Sequence, residues 1–541
     1  MEPISLRTPL ALLLISLGTI AAVWWWLATP ITLVRAPIDP NAKLQCVSYA
    51  PFRGAQTPLV EGTHISAEQI AEDMAQLAKV TECVRTYSIE NGLDQVPAQA
   101  AKQGLKVIQG IWLGSNRFKN LAQISTAIQL AKNYPTTITS LVVGNEVLLR
   151  GEMTIADLVA NIRSVKAQVQ IPVTYADVWE FWLRYREIYE VVDFITIHIL
   201  PYWEDFPIRA KFAATHVNLI RQRMAVAFPG KEILIGETGW PSQGRMREGA
   251  LPSRTNQARV VSEILQMAKH ENFRVNLIEA YDQPWKREVE GTVGGYWGLF
   301  NSEGRELKYP PGEPITNFPL WKWQMAGGLL LCLIVFVSAW ATTRRKPWTP
   351  RLTSWISVSL TASSAGCLVG IAAGRMFFES YGVGGWLLWG ALLVAGIVAS
   401  ILGANAIISG RSLPTFLDLF GPRGESDRLA LSMRGLGLAL VVTALIASET
   451  ALGFVFDPRY KDFPYASLTM AVVPFAGLLL NRPQAGRRPI AEAVFAGLLA
   501  ISAGYVGYNE GGDNWQSMWT CAVYFLFALT LWQARGAQSP K

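Results

Sequence analysis

A chain of 541 residues, half of them hydrophobic and only 16% charged, is far less polar than an ordinary soluble protein, in which about 25% are charged. That balance excludes a disordered chain and argues against an all-soluble one, while the length leaves room for three or four domains. Five cysteines exclude a disulfide scaffold, and the net charge of +7 does not mark a nucleic-acid binder, because much of the excess sits in short loops between apolar runs.

The first such run is Leu10 to Thr29, uncharged and ending in Trp24, Trp25 and Trp26. About 20 residues rising 1.5 Å each span a hydrocarbon core of ~30 Å. A cleavable signal peptide is the alternative, but it has a shorter apolar core and ends in small residues. Indoles favour the membrane–water interface, so the run reads as a retained anchor.

Residues 36–318 mix charges, prolines and glycines as a globular domain does. Apolar, β-rich runs are expected as strands at Gln45–Ala50, Glu82–Ser88, Leu105–Leu113, Thr139–Glu146, Ile171–Ala176, Val192–Ile199, Glu232–Glu237 and Val275–Tyr281. Continuous runs such as Ile233-Leu234-Ile235 suit parallel strands covered on both faces. Helical periodicity lies between them, as in Ser66–Lys79, where Ile70, Met74 and Leu77 recur three to four apart. Eight such units predict a (β/α)₈ barrel. An open doubly wound sheet is the alternative, but no glycine-rich phosphate loop follows the first strand.

Beyond residue 318 the apolar segments resume, at roughly 325–343, 353–374, 382–408, 436–456, 465–480, 489–508 and 515–533. They predict about seven further spans; 465–480 is the shortest and contains Pro474. With the globular domain outside, the inner loops carry Arg344, Arg345, Lys346, Arg351, Arg411, Arg423, Arg428, Arg434, Arg482, Arg487 and Arg488. The outer loops carry Arg375, Arg459 and Lys461, a split that follows the positive-inside rule. Glu449, inside the fifth of these spans and nearer the outer face, is a functional candidate or the partner of a loop arginine such as Arg375.

Chemistry is expected at the carboxyl ends of barrel strands. The fourth strand ends Gly144-Asn145-Glu146 and the seventh Gly236-Glu237-Thr238-Gly239-Trp240. Two carboxylates facing across a barrel mouth, about 5–5.5 Å apart, have the geometry of retaining glycoside hydrolysis. Asn145 is placed to bond a sugar 2-hydroxyl, and Trp240 to floor a sugar ring.

Val142-Val-Gly-Asn-Glu-Val147 and Ile235-Gly-Glu-Thr-Gly-Trp-Pro-Ser242 resemble the two signatures of glycoside hydrolase family 17, the β-1,3-glucanases. The likeness runs from about Gln45 to Asn301. It takes in Ser48-Tyr49, Arg85-Thr86-Tyr87, the block Glu279-Ala-Tyr-Asp-Gln-Pro-Trp-Lys286, and Tyr296-Trp-Gly-Leu-Phe300. The resemblance implies Glu146 as general acid/base and Glu237 as nucleophile, with Tyr49, Tyr87, Tyr202, Glu279, Trp285 and Lys286 lining the substrate site. It departs on strand six. There the plant members carry Asn, and here Ile197-His198-Ile-Leu-Pro-Tyr202 leaves His198 as either a substrate hydrogen-bonder or a satisfied core histidine. Trp112, Trp179, Trp182, Trp203, Trp285 and Trp297 stand near strand ends, as a group suited to a sugar-binding cleft.

Cys46 and Cys83 begin neighbouring strands of an exported domain, so a disulfide and two free thiols are both open. The four histidines show no metal spacing, and neither metal nor cofactor is expected.

The sequence therefore predicts three parts: an anchor over 1–35, a (β/α)₈ catalytic barrel over 36–318, and a multi-span helical membrane domain over 319–541. The expected activity is cleavage of β-1,3-glucan through a covalent glycosyl-enzyme, with transfer to water or to another glucan, including β-1,6 branching. The expected setting is a bacterial inner membrane with the barrel on the periplasmic side. The expected partners are β-glucan, the lipid bilayer and, as a candidate, a glucan synthase, with no nucleic acid. A non-catalytic glycan-binding or glucan-export protein is the alternative.

Overall fold

A computed structural model describes residues 7–33, 43–309, 313–344, 350–421, 430–481 and 489–535. The chain forms two compact units. One is Pro30–Ile315; the other joins Met1–Thr29 to Thr316–Lys541.

The first unit is a closed barrel of eight parallel strands in sequence order. These are β1 Cys46–Ser48, β2 Cys83–Arg85, β3 Lys106–Ile111, β4 Ile138–Asn145, β5 Val173–Val178, β6 Ile195–His198, β7 Ile233–Thr238 and β8 Arg274–Leu277. Each falls on an expected run, and most are shorter, because ladder pairing stops where the chain turns into the mouth loops.

Alternation along the strands explains the apolar continuity. Leu141 and Val143 of β4 join the large core beneath the helices. Val142, between them, joins a small cluster with Cys46, Cys83, Ile108, Ala176, Phe194 and Leu234. Both faces are buried, as a barrel wall requires. Cys46 and Cys83 form a disulfide, with Cα atoms 4.3 Å apart. The helices start at side-chain caps. Ser66 accepts from the Gln69 N–H before Ala67–Leu77, which buries Ile70, Met74 and Leu77 as their spacing demands. Thr154 and Ser253 cap Ile155–Lys166 and Arg254–His270 in the same way.

Among the described residues of the second unit, six helices are long and apolar enough to cross a membrane. They are Arg7–Leu27, Trp321–Thr343, Leu352–Glu379, Gly382–Ile408, Leu431–Phe456 and Ile490–Glu510. Tyr465–Asn481, with Pro474 inside it, and Trp515–Gln533 occupy the remaining two expected segments. The N-terminal helix is packed into this unit. Ile20 and Trp24 are fully buried, and the Ser16 and Ser359 hydroxyls are 2.8 Å apart. Glycines admit it: a Cβ at Gly366 would lie 2.3 Å from Ile20, and one at Gly370 2.7 Å from Trp24.

Of the basic loop residues, Arg345, Lys346, Arg423, Arg428, Arg482, Arg487 and Arg488 lie outside the described residues. One expectation is corrected. Arg375 does not pair with Glu449; it pairs with Glu379, one turn along its own helix, at 2.6 Å, and donates to the Phe463 carbonyl. The shorter reach within one helix decides the partner, and Glu449 is left exposed on its helix.

Candidate active site

The site begins with two backbone turns. At the end of β4 the chain enters the left-handed region at Gly144, φ 89°, where a Cβ would meet Val147 at 2.8 Å. Glu146 follows at φ 52°. For a non-glycine residue that costs roughly 1–2 kcal/mol, offset in part by its N–H donating to the Ala176 carbonyl at 2.8 Å. The turn lifts the Glu146 side chain out of the β4 alternation. On β7, Gly236 precedes Glu237, and a Cβ there would sit 2.4 Å from Thr196 and 3.2 Å from the His198 ring. The missing side chain makes room for an imidazole.

Into that room β6 places His198, wholly buried between the two glutamates. Its Nδ1 is 2.7 Å from Glu146 Oε1, and its Nε2 is 3.6 Å from Glu237 Oε1. One atom of each residue lies within 4.8 Å of the others, so the two carboxylates face each other across a short gap. Three such donors resemble a metal set, but Glu237 already carries a guanidinium. Arg85 of β2, 1% exposed, donates from Nη1 to Glu237 Oε1 at 2.8 Å and from Nη2 to Asn145 Oδ1 at 2.5 Å. With Glu237 Oε1 accepting from Arg85 and His198 Nδ1 engaged by Glu146, these groups read as a hydrogen-bonded set.

The two glutamates differ in surroundings. Burial pushes Glu237 up, but His198, Arg85, the Tyr87 hydroxyl and Lys286 together outweigh it and hold the group below the usual glutamate value. Glu146 is partly exposed. Beside it on β5 lies Asp177, which accepts from the Tyr175 hydroxyl and from the Val178 N–H. Burial, with the charge of Glu146, pushes Asp177 up to about 6. On β8, Glu279 accepts from Lys286 Nζ through both oxygens, at 2.9 and 3.0 Å. Burial raises Glu279 to about 7. Burial lowers Lys286, but Glu279 and Glu290 outweigh it and hold the ammonium above its usual value.

The structure thus brings Glu146, Glu237, Asn145 and His198 into one connected set. Tyr87 sits under Arg85, with its hydroxyl donating to Ser48 Oγ at 2.9 Å. The other expected residues stand further back. Tyr49 donates its hydroxyl to Asp73, and Tyr202 to the Arg245 carbonyl; both rings are fully buried. Trp240, expected as the floor for a sugar ring, is fully buried against Tyr202 with its N–H donating to the Leu251 carbonyl. An enclosed ring offers no face to a ligand, so it is a core residue. Trp285 is half-buried, edge-on to Phe52, and donates to Gln283. Among the remaining indoles, Trp182 and Trp297 are core, whereas Trp112 is 37% exposed with the Arg150 guanidinium over its ring.

Two central residues carried no assignment from sequence. Arg85 stood inside the Arg-x-Tyr motif, and a cation in a buried strand must find a buried anion. Asp177 stands one residue before the end of β5, much as Glu146 follows β4, a signal that strand-end position alone provides.

Comparison with known proteins follows the same segment. Residues 46–298 match the family described as the BtgE/BtgC glycoside hydrolase domain. The glucan 1,3-beta-glucosidase of Candida albicans is 24% identical over 272 residues, covering 46% of this chain and 88% of the relative. That of Saccharomyces cerevisiae is 25% identical over 272 residues, covering 46% and 86%. The crystal structure of a glycoside hydrolase family 17 beta-1,3-glucanosyltransferase from Rhizomucor miehei aligns over 49% of this chain and 95% of its own, with 24% identity and a TM-score of 0.44. Residues 46–298 are thus similar to glycoside hydrolase domains, and the curated relatives over this segment are glucan 1,3-beta-glucosidases.

Proposed function

We propose that the protein is a retaining β-1,3-glucanase and glucanosyltransferase of a bacterial inner membrane. Its barrel faces the periplasm, where it cleaves newly exported glucan and rejoins it, with β-1,6 branching among the products. Glu237 attacks the anomeric carbon to form a glycosyl ester while Glu146 protonates the departing glucan oxygen. Water or a second sugar hydroxyl then gives its proton to Glu146 and displaces the ester. The observation that carries this is the difference between the two carboxylates. A nucleophile must stay ionised while its partner holds a proton, and Glu237 alone has a buried arginine on it. One oxygen of each lies within 4.8 Å of the other, which supports the retaining course over an inverting one, whose carboxyl groups stand about 6.5–9.5 Å apart.

Asn145, turned by Arg85, is placed for the sugar 2-hydroxyl, and Tyr87 and Lys286 for the ring on the Glu237 side. The six apolar helices support insertion in a lipid bilayer. A glucan synthase is the partner that would deliver substrate at that surface. The full chain in detergent, given an end-labelled linear β-1,3-gluco-oligosaccharide, is expected to yield both shorter and longer products by mass spectrometry. Only shorter products would make it a hydrolase. Binding without turnover would favour a glycan receptor or exporter.

A further inference from the structure

We propose that the proton used in the reaction is held jointly by Glu146 and His198, with the charge of Glu237 deciding which of the two carries it. The proposal rests on the assignment of Glu146 and Glu237 above and adds a role for the imidazole between them, that of a positioning residue acting through Glu146.

His198 is buried on every side, and its two ring nitrogens have one neighbour each. Nε2 faces Glu237 Oε1 at 3.6 Å, too long for a hydrogen bond, and no other group bonds to it among the described residues. A bare lone pair aimed at a carboxylate is repulsive, so Nε2 carries a proton. Nδ1 then meets Glu146 Oε1 along a 2.7 Å line with two arrangements open to it. Either Nδ1 donates to an ionised Glu146, or Glu146 donates to Nδ1. Both contain the same number of protons, so one proton belongs to the pair.

The charged and titratable groups around the ring are few. Glu237 on β7 carries Arg85 from β2. Asp177 on β5, with Tyr175 bonded to it, interacts with both His198 and Glu146. Lys286, beyond β8, acts on Glu237.

The reaction changes one of these charges. In the first step the anomeric C–O bond to the departing glucan breaks, the bond to Glu237 forms, and the pair's proton goes to the departing oxygen. Esterified Glu237 no longer bears a charge, so an imidazolium would have lost one of its two neighbouring anions, the one facing Nε2. The pair is left as Glu146 carboxylate and neutral His198; with no proton between them Glu146 turns toward the acceptor hydroxyl, as the base required next. In the second step the acceptor oxygen bonds the anomeric carbon and its proton passes to the pair. The bond to Glu237 breaks, restoring the carboxylate that favours a cation on the ring. Gly236 is what allows this contact, since any side chain there would push the ring away from Glu237.

The test is His198→Asn in the full chain in detergent, which keeps an N–H donor toward Glu146 but cannot accept its proton. Two donors are compared: a β-1,3-gluco-oligosaccharide, whose leaving group needs protonation, and a 2,4-dinitrophenyl β-glycoside, whose leaving group does not. On the oligosaccharide the alkaline limb of kcat/KM is expected to move toward acid by at least one pH unit. The loss at neutral pH is expected to be at least tenfold greater than on the dinitrophenyl donor. Equal losses with an unmoved limb would overturn the proposal and leave His198 a packing residue. A second readout uses wild-type protein. Nitrogen-15 NMR of the histidine ring is expected to show imidazolium character that disappears when a 2-fluoro glycosyl donor esterifies Glu237. An unchanged ring would overturn the proposal. Failure of Glu237 to label at all would overturn the nucleophile assignment, and this proposal with it.

Discussion

Glu146 and Glu237 were legible in the sequence because each follows a buried apolar run at a strand end. The difference in their surroundings was not, since it depends on residues far away in the chain. Arg85 meets Glu237 across 152 positions and Asn145 across 60. Nothing local to either glutamate announces that guanidinium. Trp240 misled for the matching reason: its place after a strand end is visible in sequence, but the neighbours that enclose it, Tyr202 and Leu251, are not. Replacing Glu237 by Gln keeps its shape and removes its charge, so turnover of β-1,3-gluco-oligosaccharide is expected to fall by a factor on the order of 10³ or more. Oligosaccharide affinity, followed by calorimetry, is expected to survive. Glu146→Gln is expected to cost as much on oligosaccharide and far less on a dinitrophenyl donor.

At the level of strands and turns, the apolar runs located all eight barrel strands, because a wall buried on both faces cannot hide its composition. What they could not give is the mouth geometry, which glycines set. Gly236→Ala would drive a methyl to within 2.4 Å of Thr196 and against the His198 ring. A destabilisation of roughly 1–3 kcal/mol is expected from overpacking, together with lost activity, and thermal unfolding measures the first separately from the second. Asp177 supplies a pH signature. Its value, raised to about 6 by burial, lies above that of an unfolded chain, so its contribution to stability is present below the unfolded value and is lost as pH rises through 6. Asp177→Asn is therefore expected to be more stable than wild type at pH 7, by on the order of 1–3 kcal/mol. That advantage should disappear as pH falls from 6 to 4, a trend read from unfolding midpoints across that range.

Across the whole chain, the sequence separated an apolar helical part from a mixed α/β part, and the structure divides into two compact units in which the N-terminal helix joins the C-terminal helices. That partnership was not legible. An apolar run reads as an anchor whether or not it packs, and only Ile20 and Trp24 against Gly366 and Gly370 show that it does. A helix packed along one face in this way is expected to be retained. The mature protein should keep its first residues by mass, whereas signal cleavage would remove the residues up to about Thr29 and leave the barrel joined to the C-terminal helices. The proposed reaction passes through a covalent intermediate formed inside the barrel. The most direct measurement is the mass of the full chain after incubation with a 2-deoxy-2-fluoro β-1,3-glucosyl donor, followed by peptide mapping. One added glycosyl group on the peptide containing Glu237, absent from the Glu237→Gln variant, is the result predicted. No adduct, or an adduct on another carboxylate, would contradict it.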